Sequence, residues 1–247
     1  MKKAISFLLA LICVLSLCAC AKGSEMPTDP ENTQPQSTTG STETSEDPTD
    51  PPSDPEPPVF VYDGAVEEYL LPLEDYSSER EHAPEFVMVH FTSAVVPHPE
   101  DPYNMAYVWE IFVDYNVSVH YIIDRDGTVR CYIPEDRVAW HAGKGQWKDD
   151  PEYTNKMNRF AIGIEMVGMG SAADMSIYMT EKAYQALDDS LKGFTSAQYA
   201  SLKLLVADIC GRYDIPMDRD HVIGHEEYSP HKTDPGELFD WDEIIAD

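Results

Sequence analysis

The stretch GHEEYSPHKTDPG, residues 224–236, holds His225, Lys232 and Asp234 in a short loop stiffened by glycines and prolines. An imidazole and a carboxylate placed this way can ligate a metal ion, and a lysine beside them can face developing negative charge. A third donor closes the apolar run EFVMVHF (85–91), where His90 is followed by Phe91, Thr92 and Ser93. Such a run reads as a buried strand, and strand ends are where a sheet presents side chains to a cleft. Two imidazoles and one carboxylate leave a bound zinc ion with net positive charge and one open position. That is the ligand set of a catalytic rather than a structural site. Water in the open position has its pKa lowered towards ~7. The three donors come from distant segments, so spacing alone leaves open that each is merely solvated or packed.

The remaining histidines sort differently. His82 and His98 stand in Pro/Glu-rich loops and read as solvated, and His120 reads as a hydrogen-bonded packing residue. His221 and His225 form HVIGH, but a metalloprotease helix needs Glu where Val222 stands and a continuous helix where Gly224 interrupts. Glu165 breaks the apolar run RFAIGIEMVG (159–168), where an unpaired carboxylate is costly unless it faces solvent or has work to do.

The elements that must position these residues follow from periodicity. Residues 104–116 place Met105, Val108, Trp109, Phe112 and Val113 at helical spacing. In VSVHYIIDRDGTVRCYI, Val117, Val119, Tyr121 and Ile123 alternate with more polar neighbours. Asp126-Gly127 then turns the chain, and 128–133 returns as the second strand of a hairpin. Thr195 and Gln198 form a capping box ahead of a helix with a stripe of Tyr199, Leu202, Val206 and Ile209, and Pro216 lies beyond its end. Residues 171–193 read as an exposed loop with a helix from Thr180. Strands separated by helices predict an α/β fold, a mixed central sheet flanked by helices.

The chain ahead of this region is of another kind. Residues 1–19 carry Lys2, Lys3 and an apolar run from Ala4 to Leu17, a secretory signal too short for a transmembrane helix. The run ends in LCAC, which resembles a bacterial lipobox and implies cleavage after Ala19 and lipidation of Cys20. Residues 22–58 are rich in Pro, Ser, Thr and acid and have no aromatic residue, so they cannot bury enough apolar surface to order. With Cys20 they form an expected tether over 20–58, reaching on the order of 100 Å if stretched by its prolines. Residues 59–247 are long enough for one domain with a core. A formal net charge of −28, from 17 basic against 45 acidic side chains, argues against a nucleic-acid partner. Of five cysteines only Cys131 and Cys210 lie beyond the signal and its lipobox cysteine, and two isolated thiols define neither a disulfide framework nor a zinc site.

Taken in order, VHFTS, VSVHYIIDRDGTV, WHAG, NRFAIGIEMVG and GHEEYSPHKTDPG resemble the zinc-dependent N-acetylmuramoyl-L-alanine amidases of type 2. This family shares its fold with the peptidoglycan recognition proteins, and the similarity runs over about 86–241. The resemblance implies one catalytic zinc on His90, His225 and Asp234, Glu165 as general base, and Lys232 as oxyanion stabiliser. It also implies that Trp140, His141 and Asn158 contact substrate. The reaction would be hydrolysis of the amide between the lactyl group of N-acetylmuramic acid and L-alanine, in peptidoglycan or muropeptides. Some relatives carry a tyrosine at the position of Val119, so the glutamate-based variant of the mechanism fits this chain better. Together with the signal, these readings predict a monomer that is extracytoplasmic, lipid-anchored to the membrane and facing the cell wall. The alternative is a surface-anchored protein that binds peptidoglycan without cutting it.

Overall fold

The structure, a computed structural model, describes residues 64–245. The expected signal, Cys20, the tether to residue 58 and the first residues of the expected domain lie outside the described residues. No helix among the described residues is long and apolar enough to cross a membrane.

Six strands form the main sheet: β1 (Val66–Glu68), β3 (Phe86–Thr92), β4 (Tyr121–Ile123), β5 (Val129–Cys131), β7 (Ala161–Val167) and β8 (Val222–Gly224). Their spatial order is β1-β5-β4-β7-β3-β8. Only the β4–β5 hairpin is antiparallel; the other neighbours run parallel, so the sheet is mixed. A second ribbon pairs β2 (Ser77–Glu79) with β6 (Arg137–Ala139), antiparallel. The longer helices are α2 (Met105–Tyr115) and α4 (Ser196–Tyr213), with short α1 (Leu73–Tyr76), α3 (Glu181–Gln185) and α5 (His225–Tyr228).

Side chains alternate between the two faces of a strand, and the packing follows that rule. Val87 and Val89 of β3, Ile162, Ile164 and Met166 of β7, and Ile123 of β4 pack on one face against Leu202, Leu205, Val206 and Ile209 of α4. Each such side chain contributes roughly 1.5–3 kcal/mol on full burial, so this layer is the main store of stability. The opposite face carries Ile122 and Val167 against Val108 and Phe112 of α2. It also carries Phe86, Met88 and Ile223 against Trp147 and Met157. Between those two clusters the same face has no apolar side chain from β3 or β7, but His90, Gly163 and Glu165. The site occupies the gap.

The helix ends are set as the sequence indicates. Asn104 accepts a hydrogen bond from the Ala106 N–H, and Asn116 closes α2 in the left-handed region. At α4 the Thr195/Gln198 capping box is present. Gln198 does more than cap, because its carboxamide also donates to the carbonyls of Ile123 and Val167, tying the helix to the ends of β4 and β7. Two expected core positions are corrected. Val113 and Val117 are 39% and 37% exposed, because the buried stripe of α2 narrows to Val108 and Phe112 and Val117 precedes β4. The expected exposed loop over 171–193 is also corrected. Thr180 caps α3 as read, but Met175 and Tyr184 join Val95 and Met169 in a small core of their own.

Candidate metal centre and its surroundings

Strand register builds the site. His90 of β3 stands opposite Glu165 of β7, and Val89 stands opposite Gly224 of β8. His225, the next residue after β8, is therefore the next in line with His90. Three adjacent parallel strands thus deliver Glu165, His90 and His225 side by side at their carboxyl ends, where ligand crevices of parallel sheets form. Asp234 arrives from the following loop, whose return is fixed by the Glu226 N–H donating to the Asp234 carbonyl at 2.9 Å.

His90 Nδ1 lies 3.0 Å from His225 Nδ1 and 2.9 Å from Asp234 Oδ2, and the last two atoms are 3.0 Å apart. All three residues are buried. The outer nitrogens decide what the inner ones carry. His225 Nε2–H donates to the Ala142 carbonyl, which leaves Nδ1 with its lone pair facing inward. His90 Nε2 lies 3.0 Å from His141 Nδ1, and donation outward there leaves the Nδ1 of His90 unprotonated as well. The His90 imidazole is lowered to about 4 by burial, with His225 adding to the effect, so it is neutral at pH 7. Asp234 is ionised at pH 7, so its Oδ2 meets the two ring nitrogens as a third acceptor. Two ring lone pairs and a carboxylate oxygen converge with no proton among them. That donor set fits a divalent cation of the zinc class.

Glu165 stands beside this cluster with one carboxylate oxygen buried and without a partner. Burial raises its pKa well above the ordinary value, Asp234 adds to that, and Lys232 pulls the other way. Lys232 itself is exposed and lines a cavity of about 690 Å³ that extends past Thr92, Tyr178 and Tyr107.

Like His90, Glu165, His225 and Asp234, the three expected substrate contacts do not line this cavity, and their neighbours are as follows. His141 sits behind His90 and against Gly163, where an added Cβ would come within 2.6 Å of its ring. Asn158 accepts from the backbone N–H groups of His141 and Ala142, at 3.0 and 2.7 Å, and so fixes the loop that orients both histidine ligands. Trp140 is half-buried, its backbone paired in both directions with Ser118. His120 is a packing residue as read, its Nδ1 accepting from the Gly163 N–H and its Nε2 facing the Arg137 carbonyl.

The family model for N-acetylmuramoyl-L-alanine amidase, Amidase_2, matches residues 80–237, which contain every one of these groups. The chain belongs to that family. Among similar proteins, the 1,6-anhydro-N-acetylmuramyl-L-alanine amidase AmpD of Enterobacter cloacae is 33% identical over 131 residues, 53% of this chain and 56% of that protein. AmpD of Haemophilus influenzae is 33% identical over 147 residues, 59% of this chain and 66% of that protein. The chain thus spans between about half and two thirds of the length of these relatives. A crystal structure of a selenomethionine derivative of AmpD aligns with a TM-score of 0.50 at 25% identity, covering 72% of this chain and 92% of that one.

Two members of the Amidase_2 region escape a reading by residue type. Gly163 makes room for His141, and the signal was the glycine inside a buried strand, a mark of close approach. Asp174 reads as a surface acid yet is 7% exposed beside the ligand loop. No pattern in its neighbourhood announces that burial.

Proposed function

We propose that this chain is a zinc-dependent amidase that hydrolyses the bond between N-acetylmuramic acid and the L-alanine of its stem peptide. The supporting observation is the convergence of two ring nitrogens and a carboxylate oxygen beside a buried carboxylate oxygen that has no partner. His90, His225 and Asp234 would hold the ion. Zinc, when bound, supplies an electrophile that acidifies water and polarises a carbonyl. Glu165 accepts the proton of the attacking water at its unpartnered oxygen and returns it to the departing amine. Lys232, at the edge of the cavity, faces the oxygen on which charge builds. His141, Asn158 and the Ala142 carbonyl hold the two imidazoles in orientation, the outer support that metal-binding histidines require.

The test is cleavage of a defined muropeptide by zinc-loaded protein, read by mass spectrometry. The expected outcome is release of a peptide beginning with L-alanine, abolished by EDTA and restored by zinc. Binding of the muropeptide without release would replace this reading with recognition alone.

The proposal extends to an extracytoplasmic monomer anchored through lipid on Cys20. It rests on the basic start, the apolar run and LCAC. Cys20→Ser should move the protein from the membrane to the medium, and retention at the membrane would end that part of the proposal.

A further inference from the structure

Asp174 has no task in the reaction just described, yet it is the most connected acid near it. It opens a short 3-10 helix, Asp174–Ile177, whose continuation provides Met175, Ile177 and Tyr178 to one wall of the cavity. Its Oδ2 accepts the Ser171 N–H at 2.8 Å and the Glu237 N–H at 3.0 Å. Its backbone carbonyl accepts the Thr233 hydroxyl at 3.0 Å. Ser171 adds a bond of 3.1 Å to the Glu237 carboxylate.

The backbone on both sides is cut away to admit this side chain. A Cβ on Gly170 would meet the Asp174 side chain at 2.6 Å, and one on Gly236 would meet Oδ2 at 2.5 Å. Gly236 also has φ +79°, a conformation that side chains disfavour. Thr233 and Glu237 flank the ligand Asp234, and Lys232 precedes Thr233. The contacts therefore run from the cavity wall to the residues on either side of a metal ligand. A burial this costly for a carboxylate is offset by charge-assisted bonds from two backbone N–H groups.

We infer that Asp174 is a positioning residue that clamps the cavity wall at 174–178 to the loop carrying Asp234 and Lys232, and so sets the place of the metal ligand. The inference rests on the zinc reading above. Both backbone N–H groups converge on a single oxygen, so an asparagine turned to present its carbonyl there can keep them, whereas alanine cannot.

The experiment is competition of the apo protein for zinc against a chromophoric chelator, with thermal unfolding of the same apo samples. Asp174→Ala is expected to weaken zinc binding about 10–100-fold, the range found when support for a metal ligand is removed. Asp174→Asn is expected to stay within about threefold of the parent, which a loss of fold alone would not produce. Should Asp174→Ala fail to fold, Thr233→Val removes one bond of the clamp and is expected to weaken zinc binding several-fold with apo unfolding unchanged. Zinc affinity equal to the parent in Asp174→Ala, or in Thr233→Val if that variant must serve, overturns the inference. So does an Asn variant as weak as Ala. A parent that binds no zinc would instead overturn the metal reading, so the two failures are distinct.

Discussion

Two half-buried carboxylates of this chain stand in opposite circumstances. Glu135 accepts from Tyr121 at 2.8 Å, from Tyr213 at 2.8 Å, and from both terminal nitrogens of Arg212, which also reaches Asp208 at 2.8 Å. Glu165 has an oxygen in the interior with nothing to accept from. A charge that is fully hydrogen-bonded fastens the connection between β5 and β6 to the end of α4; one left without partners is a cost the fold carries for some other purpose. The pKa directions agree with the contrast. Burial pushes both carboxyls upward, but the hydrogen bonds of Arg212 and Tyr121, with the charge of Arg212, bring Glu135 below its ordinary value. Nothing comparable offsets burial at Glu165.

The largest effect that can break this contrast is at Glu165. Glu165→Gln keeps the shape and removes the base. Turnover should fall about 10²–10⁴-fold, while zinc stoichiometry holds and the melting temperature does not drop. Full turnover in that variant would mean the orphaned oxygen has no part in proton transfer.

Glu135 should give the reverse pattern. Glu135→Ala leaves Arg212 without its main partner, and because Arg212 is 28% exposed the loss sits at the lower end for a broken buried pair, about 2–3 kcal/mol. Urea unfolding measures it, and turnover per folded molecule should match the parent. The acid limb carries the same information. A carboxyl whose folded pKa is depressed stabilises fully above its unfolded value, ~4.3, and that stability is lost as pH falls through the folded value. Glu135→Gln should therefore flatten the fall in unfolding free energy below about pH 5 relative to the parent. An unchanged slope would show that the Arg212 network contributes nothing to the acid sensitivity of the fold.

The same contrast explains what could be read from the chain. Strands β3 and β7, helices α2 and α4 and the hairpin turn were legible because each is decided by local periodicity or capping, and α4 even announced its first turn through Thr195 and Gln198. The donor types at His90, His225 and Asp234 were legible, and the fold brings them together. Their support was not. The contacts of His141 and Asn158 with the ligand and its loop were hidden because a polar side chain near a ligand motif gives no sign of which side of the ligand it occupies. That depends on β7 presenting Gly163, rather than a side chain, beneath the imidazole. Asp174 and the satellite core around Met175 and Tyr184 were missed for a related reason. Their partners, Gly236, Glu237 and Val95, are far away in sequence.

The smallest effect sharpens the comparison rather than testing its existence. Tyr213 supplies one of several donors to Glu135, so Tyr213→Phe leaves the carboxylate paired with Arg212 and Tyr121 and removes a single bond. The expected cost is about 1 kcal/mol, below that of Glu135→Ala, because no charge is stranded. The hydroxyl also helps to hold the Glu135 carboxyl down, so its loss should move the acid unfolding limb to slightly higher pH. A cost as large as that of Glu135→Ala would mean the donors act as one indivisible unit. No cost at all would mean Arg212 alone satisfies the carboxylate, and the difference from Glu165 would then rest on one ion pair instead of a network.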